Sequence, residues 1–191
     1  MCAIMTAPII RAWKRLRRKT VYQNPWITVY EDQVQLPNGR TTLYGVVTPP
    51  QAFVGIVPLL DQETVLLVQQ YRYIQDEVTW ELPSGAMHAG ETPQQAAQRE
   101  LQEEVGYRAR HLEQLSLMRS NKSVMDDQGF IFLATGLTPS KAIPDTTEEF
   151  QVVPVHVNRA LEMVTRFEIT DCVSIIGLLL IQKRLVSESV S

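Results

Sequence analysis

Apolar and polar positions alternate with a period near two in the first part of the chain and lengthen to helical spacing further on. Trp26-Ile27-Thr28-Val29-Tyr30 is rich in strand formers, and Val34 and Leu36 continue it. Pro37-Asn38-Gly39 supplies hairpin-turn chemistry, and Thr41, Thr42, Leu43, Tyr44, Val46 and Val47 make the return strand, predicting a hairpin over residues 21–47. Pro49-Pro50 breaks the pattern. Residues 52–60 and 64–70 are near-continuous apolar runs around an Asp61-Gln62 turn and read as buried strands. Further strands are predicted over His111 to Met118, Gly129 to Ala134 and Gln151 to Val155. Helices are predicted over Asn158 to Val164 and Thr170 to Arg184, the second with Val173, Ile176, Leu180 and Ile181 on one side.

Between these blocks lies the stretch that carries the chemistry, Gly85 to Tyr107. Thr92 is placed to cap a helix, Pro93 suits its first position, and Gln95 completes a capping box. Gly106 is placed to end the helix in a left-handed conformation, so residues 93–105 are predicted as one helix. Glu100, Glu103 and Glu104 stand at i, i+3 and i+4, beside an apolar stripe of Ala97, Leu101 and Val105. Like charges at this spacing repel by roughly 0.2–0.5 kcal/mol per pair. A hard cation reverses that penalty, and clustered carboxylates are what Mg²⁺ or Mn²⁺ prefers. Arg99 lies four residues before Glu103 and can pair with it. A run of glutamates on a helix is usually a solvated face. Here the glycine loop, cap, Arg-Glu pair and helix stop coincide, which favours the metal reading.

Composition leaves that picture standing. The 191 residues are 45% apolar and 20% charged, ordinary values for a soluble globular chain of one domain. No apolar run approaches the roughly 20 residues of a bilayer span, and the N-terminus lacks the pattern of a secretory leader. Cys2 and Cys172 form no disulfide framework or metal-ligand spacing, so free thiols in a cytoplasmic protein are expected. His88, His111 and His156 likewise lack ligand spacing, and no Ser-His-Asp or Cys-His arrangement is legible. Charge is uneven: Arg11, Lys14, Arg15, Arg17, Arg18 and Lys19 crowd into nine positions, leaving 12 basic against 21 acidic residues elsewhere. The basic run reads as a solvated arm over residues 1–20, ahead of the hairpin region 21–50 and a main domain 51–191. Nucleic acid is not expected as its partner.

Gly85, Glu91, Arg99, Glu100, Leu101, Glu103, Glu104 and Gly106 match the Nudix box at every defined position, so the chain resembles the Nudix hydrolase family. The resemblance implies an α+β fold, an α/β/α sandwich with a mixed sheet, here preceded by the hairpin. It also implies Mg²⁺-dependent hydrolysis (Mn²⁺ as a possible substitute) of a nucleoside diphosphate linked to another moiety. Outside the box, QQYR, ELPSG, FLATGL and FEITDCVSIIGLLLIQ are similar to the branch that cleaves ADP-ribose and nucleotide sugars. The resemblance assigns Ser84 as a carbonyl ligand and Glu100, Glu103 and Glu104 as metal ligands. Gly85, Glu91, Arg99 and Gly106 are structural members of the box. Arg72 and Glu81 are implied on the substrate side, and Trp26 and Tyr44 on the nucleobase, where that branch often uses a hairpin donated by the other subunit: a homodimer is expected. Glu148 or Glu149, with Glu103, is implied as the base that handles the water. One departure widens the substrate range: no proline occurs between Gly106 and Pro139, which adds GDP-mannose and other nucleotide sugars to ADP-ribose. The alternatives are hydrolysis of another diphosphate (a dinucleoside polyphosphate, coenzyme A or a capped RNA end) or a non-catalytic nucleotide-binding module.

Overall fold

The computed structural model describes residues 11–140 and 151–188, with side chains to residue 184. It divides into two compact units, Met1–Pro50 with Asn121–Asp126, and Gln51–Ser120 with Asp127–Ser191.

The N-terminal unit is an antiparallel sheet in the order β1 (Lys14–Gln23), β2 (Thr28–Gln35), β3 (Thr41–Thr48). Gly39 turns the β2–β3 hairpin at φ +84°, as the Pro-Asn-Gly chemistry predicts. The segment Asn121–Asp126 is tied to β3: the Val47 N–H donates to the Val124 carbonyl at 2.8 Å, and the Asp126 N–H to the Val47 carbonyl at 2.9 Å.

The charge run is where structure and sequence reading part. From Lys14 on, its residues are exposed but form a strand of the sheet, not an arm. Lys14–Gln23 pairs with β2 in a register that sets Arg18 against Asp32. Arg18 donates twice to the Asp32 carboxylate, both bonds 2.7 Å, and lies over the Tyr30 ring at 4.4 Å. That planar fork satisfies an otherwise buried carboxylate and anchors the strand. The other cations stay exposed along a sheet edge, where lysine and arginine discourage further strand pairing.

The larger unit is built on β4 (Phe53–Pro58), β5 (Thr64–Arg72), β6 (Glu77–Glu81), β7 (Ser84–Ala86), β8 (Tyr107–Met118), β9 (Gly129–Pro139) and β10 (Gln151–His156). One sheet runs β7-β4-β9-β8, with β4 and β9 parallel and the other pairs antiparallel; a second runs β10-β5-β6. The helices are α1 (Pro93–Glu100), α2 (Val157–Thr165) and α3 (Cys172–Glu188).

The alternation of strand side chains explains the layering. Val54, Ile56, Leu66 and Val68 point to one core with Ala96, Ala97, Leu101 and Val105 of the box helix. Val57, Leu59, Val65 and Leu67 point to the other, with Val157, Ala160 and Met163 of α2 and Val173, Leu178 and Ile181 of α3. Strands buried on both faces have to be apolar at consecutive positions, which is why residues 52–60 and 64–70 show no alternation. The result is the α+β sandwich with a mixed sheet that the box implied. Among the described residues, no helix is long and apolar enough to cross a membrane.

Candidate active site

The box helix begins as its sequence dictates. The Thr92 side chain accepts from the Gln95 N–H, the Gln95 side chain accepts from the Thr92 N–H, and Pro93 occupies the first turn. It does not run to residue 105 as one α-helix. After Glu100 it widens into a π-helical turn over Leu101–Val105, and Gly106 closes it at φ 77°, in the left-handed region. Leu101 and Val105 are buried in this turn, and so is Glu104.

Arg99 is the centre of the charge network. It donates to both oxygens of Glu91 at 2.9 and 3.0 Å, to Glu100 at 2.6 Å, to Glu103 at 2.9 Å and to the Ala86 carbonyl at 2.9 Å. The expected pairing with Glu103 is therefore present, as one arm of a wider clamp. The Arg99 hydrogen bonds push the Glu91 carboxyl down to about 2. Glu91 in turn accepts from the His88 N–H at 2.7 Å, locking the loop that enters the helix.

The two most buried acids of the box are Glu100, itself held by the clamp, and Glu104. Glu100 is 7% exposed and Glu104 9%. The Ser84 N–H donates to Glu104 at 3.1 Å. Gly85 lies so close to Glu100 that a Cβ there would collide with the carboxyl group. Strand β7 thus presents its backbone directly to two carboxylates, and the approach of Gly85 to Glu100 is one that only glycine permits.

The donor set fits a hard divalent cation. The acidic side chains gathered around Arg99 offer oxygen ligands, two of these carboxylates are nearly buried, and such charges are retained where they are paired or bind metal. Among the described residues no three acids already converge as a closed cage. Glu100 and Glu103 lean on Arg99 instead, so the same guanidinium that orients them offsets their mutual repulsion.

Arg72 and Glu81 form a bidentate pair, 2.8 and 2.5 Å, on the shared face of β5 and β6. Thr79 donates to the same carboxylate at 2.5 Å. Burial pushes Glu81 up, but the Arg72 and Thr79 hydrogen bonds outweigh it and hold the acid below the usual range. Arg72 is held above its ordinary value, chiefly by Glu81, with Glu104 and Asp171 adding to it.

Trp26 and Tyr44 belong to the N-terminal unit. Trp26 is 73% exposed. Tyr44 donates its hydroxyl to the Ser123 carbonyl at 2.7 Å and meets Trp13 edge-on, with centroids 6.0 Å apart. Glu148 and Glu149 lie outside the described residues. Sequence reasoning missed the connection from Asp171 and Ser174 to the strand before the box, although the Asp-x-x-Ser spacing at the head of α3 signals a cap.

The fold and its family define a hydrolase of a kind that generally depends on a divalent metal. The chain belongs to the Nudix family: the NUDIX domain matches residues 49–169, and the nucleoside diphosphate sugar hydrolase N-terminal domain matches residues 13–47. It is 29% identical to an ADP-ribose pyrophosphatase of Bacillus subtilis, over 83% of this chain and 86% of that protein. It is 31% identical to an ADP-ribose pyrophosphatase of Mycobacterium tuberculosis, over 87% and 82% respectively. A crystal structure of an ADP compounds hydrolase superposes with a TM-score of 0.87 at 22% identity, covering 95% of this chain and 98% of that one.

Proposed function

We propose that this chain hydrolyses the pyrophosphate bond of an ADP-sugar, ADP-ribose foremost, to AMP and a sugar phosphate, with Mg²⁺ or Mn²⁺ as its metal. The observation that carries the chemistry is the approach of the Ser84–Gly85 backbone to Glu100 and Glu104. The match of residues 13–47 to the nucleotide-sugar N-terminal domain, and relatives named for ADP-ribose, support the substrate.

Glu100, Glu103, Glu104 and the Ser84 carbonyl would hold the metal. Bound there, a divalent cation neutralises phosphate charge and lowers the pKa of a coordinated water. Arg99 keeps the acids oriented. Arg72, aligned by Glu81, supplies positive charge for the phosphates. Glu148 or Glu149, with Glu103, takes the proton from the attacking water. In-line attack at one phosphorus breaks one P–O bond of the bridge and forms the new one from water. Trp26 offers an exposed indole for base stacking, and Tyr44 is assigned to the same base with less free surface.

The N-terminal unit exposes Trp13, Leu16, Val21, Tyr22, Trp26 and Leu43. Large apolar side chains left in solvent in this number favour an interaction surface, and we assign this unit to a homodimer interface. Cys172 is a free thiol, in keeping with a cytoplasmic protein.

The test is nucleoside monophosphate release from ADP-ribose, ADP-glucose, GDP-mannose and UDP-glucose, with and without Mg²⁺, in wild type and Glu104→Gln. Metal-dependent turnover lost in the variant is expected. No turnover of any diphosphate, or full activity in Glu104→Gln, overturns the reading. Preference for GDP-mannose would replace the ADP-sugar assignment alone.

A further inference from the structure

The backbone just before Ser84 is held from an unexpected direction. The Leu82 N–H donates to the Ser174 hydroxyl at 2.7 Å, across 92 residues of sequence. Ser174 is fully buried. Its hydroxyl donates onward to Asp171 at 2.7 Å, and the same Asp171 oxygen accepts the Ser174 N–H at 2.8 Å. The direction of this relay is forced. An amide N–H can only donate, so the hydroxyl must accept from Leu82, and its own hydrogen goes to Asp171.

The relay completes the backbone bonding of a three-residue link. Leu82 is tied to α3, Pro83 has no N–H, and the Ser84 N–H goes to Glu104. The Pro83 carbonyl accepts from the Ile56 N–H at 2.9 Å. The link that carries Ser84 is therefore clamped by α3, by β4 and by the box helix. Packing keeps α3 close: a Cβ on Gly177, one turn beyond Ser174, would come 2.6 Å from Leu82 and 2.9 Å from Val57.

Ser174 belongs to α3, outside the box. We infer that Ser174, oriented by Asp171, is a positioning residue that sets the Leu82–Ser84 backbone against the carboxylates of the box helix. This inference rests on the metal-site reading. Losing the hydroxyl frees a buried amide and lets the link shift, as the hydrogen-bond partners that hold metal ligands in place matter about 10–100-fold for metal affinity.

The experiment uses the full-length protein and two readouts besides activity: Mn²⁺ binding by electron paramagnetic resonance, and hydrogen exchange at the amides of Leu82 and Ser84. Ser174→Ala is expected to weaken Mn²⁺ binding by about tenfold or more and to speed exchange at both amides. Asp171→Asn keeps an acceptor oxygen for the hydroxyl and is expected to preserve amide protection, whereas Asp171→Ala is expected to lose it. Ala160→Gly, a buried change on α2, controls for general destabilisation and should leave Mn²⁺ affinity alone. If Ser174→Ala does not fold, Ser174→Cys keeps the volume while weakening both bonds, and the same shifts are expected in smaller measure. Unchanged Mn²⁺ affinity and unchanged exchange in a folded Ser174 variant overturn the inference, as does an equal loss in Ala160→Gly. If wild type itself binds no Mn²⁺, the metal-site reading fails, and the exchange comparison still decides whether Ser174 holds the link.

Discussion

Replacing Glu91 by glutamine keeps the shape of the side chain and removes the charge that Arg99 grips through both oxygens. Arg99 holds the Glu91 carboxyl at about 2, against an ordinary value of 4.5. Each pH unit between those values corresponds to 1.36 kcal/mol, so a fully shielded pair would contribute roughly 3 kcal/mol at neutral pH. The two side chains are 19% and 18% exposed. Solvent screening reduces the figure to roughly 1–2 kcal/mol. For a chain of this size each kcal/mol moves Tm by about 2–4 °C, so Glu91→Gln is expected to melt about 2–8 °C below wild type at pH 7. The sign of the pH dependence follows from the depressed folded value. The stabilisation is fully present above about 4.5 and is lost as pH falls toward 2. The gap between wild type and variant therefore narrows steadily between pH 5 and pH 3. Thermal and urea melts across that range measure it. A gap that stays constant with pH would show that side-chain shape, not charge, holds the loop; no gap at pH 7 would remove Glu91 from the clamp altogether.

Three further outcomes follow from close contacts. Gly85→Ala places a methyl group against the Glu100 carboxyl, so the fold should survive while metal titration weakens, read by Mn²⁺ binding beside circular dichroism. Arg72→Ala leaves Glu81, 5% exposed, with Thr79 as its remaining charge-assisted partner; we expect a loss of about 2 kcal/mol in urea melts, below the 3–5 of a wholly buried pair because Arg72 is 39% exposed, together with a raised KM. Gly177→Ala overpacks the α3 contact with Leu82 and Val57 and should cost about 1–3 kcal/mol in the same assay.

What the sequence made legible is what local spacing determines. Thr92, Pro93, Gln95 and Gly106 act on their own turn of backbone, so the start and stop of the box helix could be read directly. The apolar runs at 52–60 and 64–70 announced strands covered on both faces. The basic run misled because charge density alone says nothing about a partner strand. Only the register against β2 reveals that Arg18 meets Asp32, and a register is a tertiary fact. The Arg72–Glu81 pair was hidden for the same reason: the two residues lie on adjacent strands, and only the β5–β6 ladder brings them to one face. The Ser174–Leu82 bond spans 92 residues, beyond any local pattern.

The π-helical turn is the case where propensity pointed the wrong way for a physical reason. Leu101, Gln102, Glu103 and Glu104 are all good α-helix formers, and nothing in the run predicts a wider turn. In an α-helix, residues four apart rotate about 40° past one another, since 3.6 residues complete a turn. A turn closed by i→i+5 bonds holds more residues, so positions four apart stop short of a full turn instead of passing it. That serves two pairs at once. Leu101 and Val105 both reach the core shared with Ala97, while Glu100 and Glu104 both turn toward the Ser84–Gly85 backbone. The wider turn gives up some hydrogen-bond quality in the last turn of the helix. In exchange it aligns two buried carboxylates against one strand, and the left-handed Gly106 then lets the chain leave directly into β8.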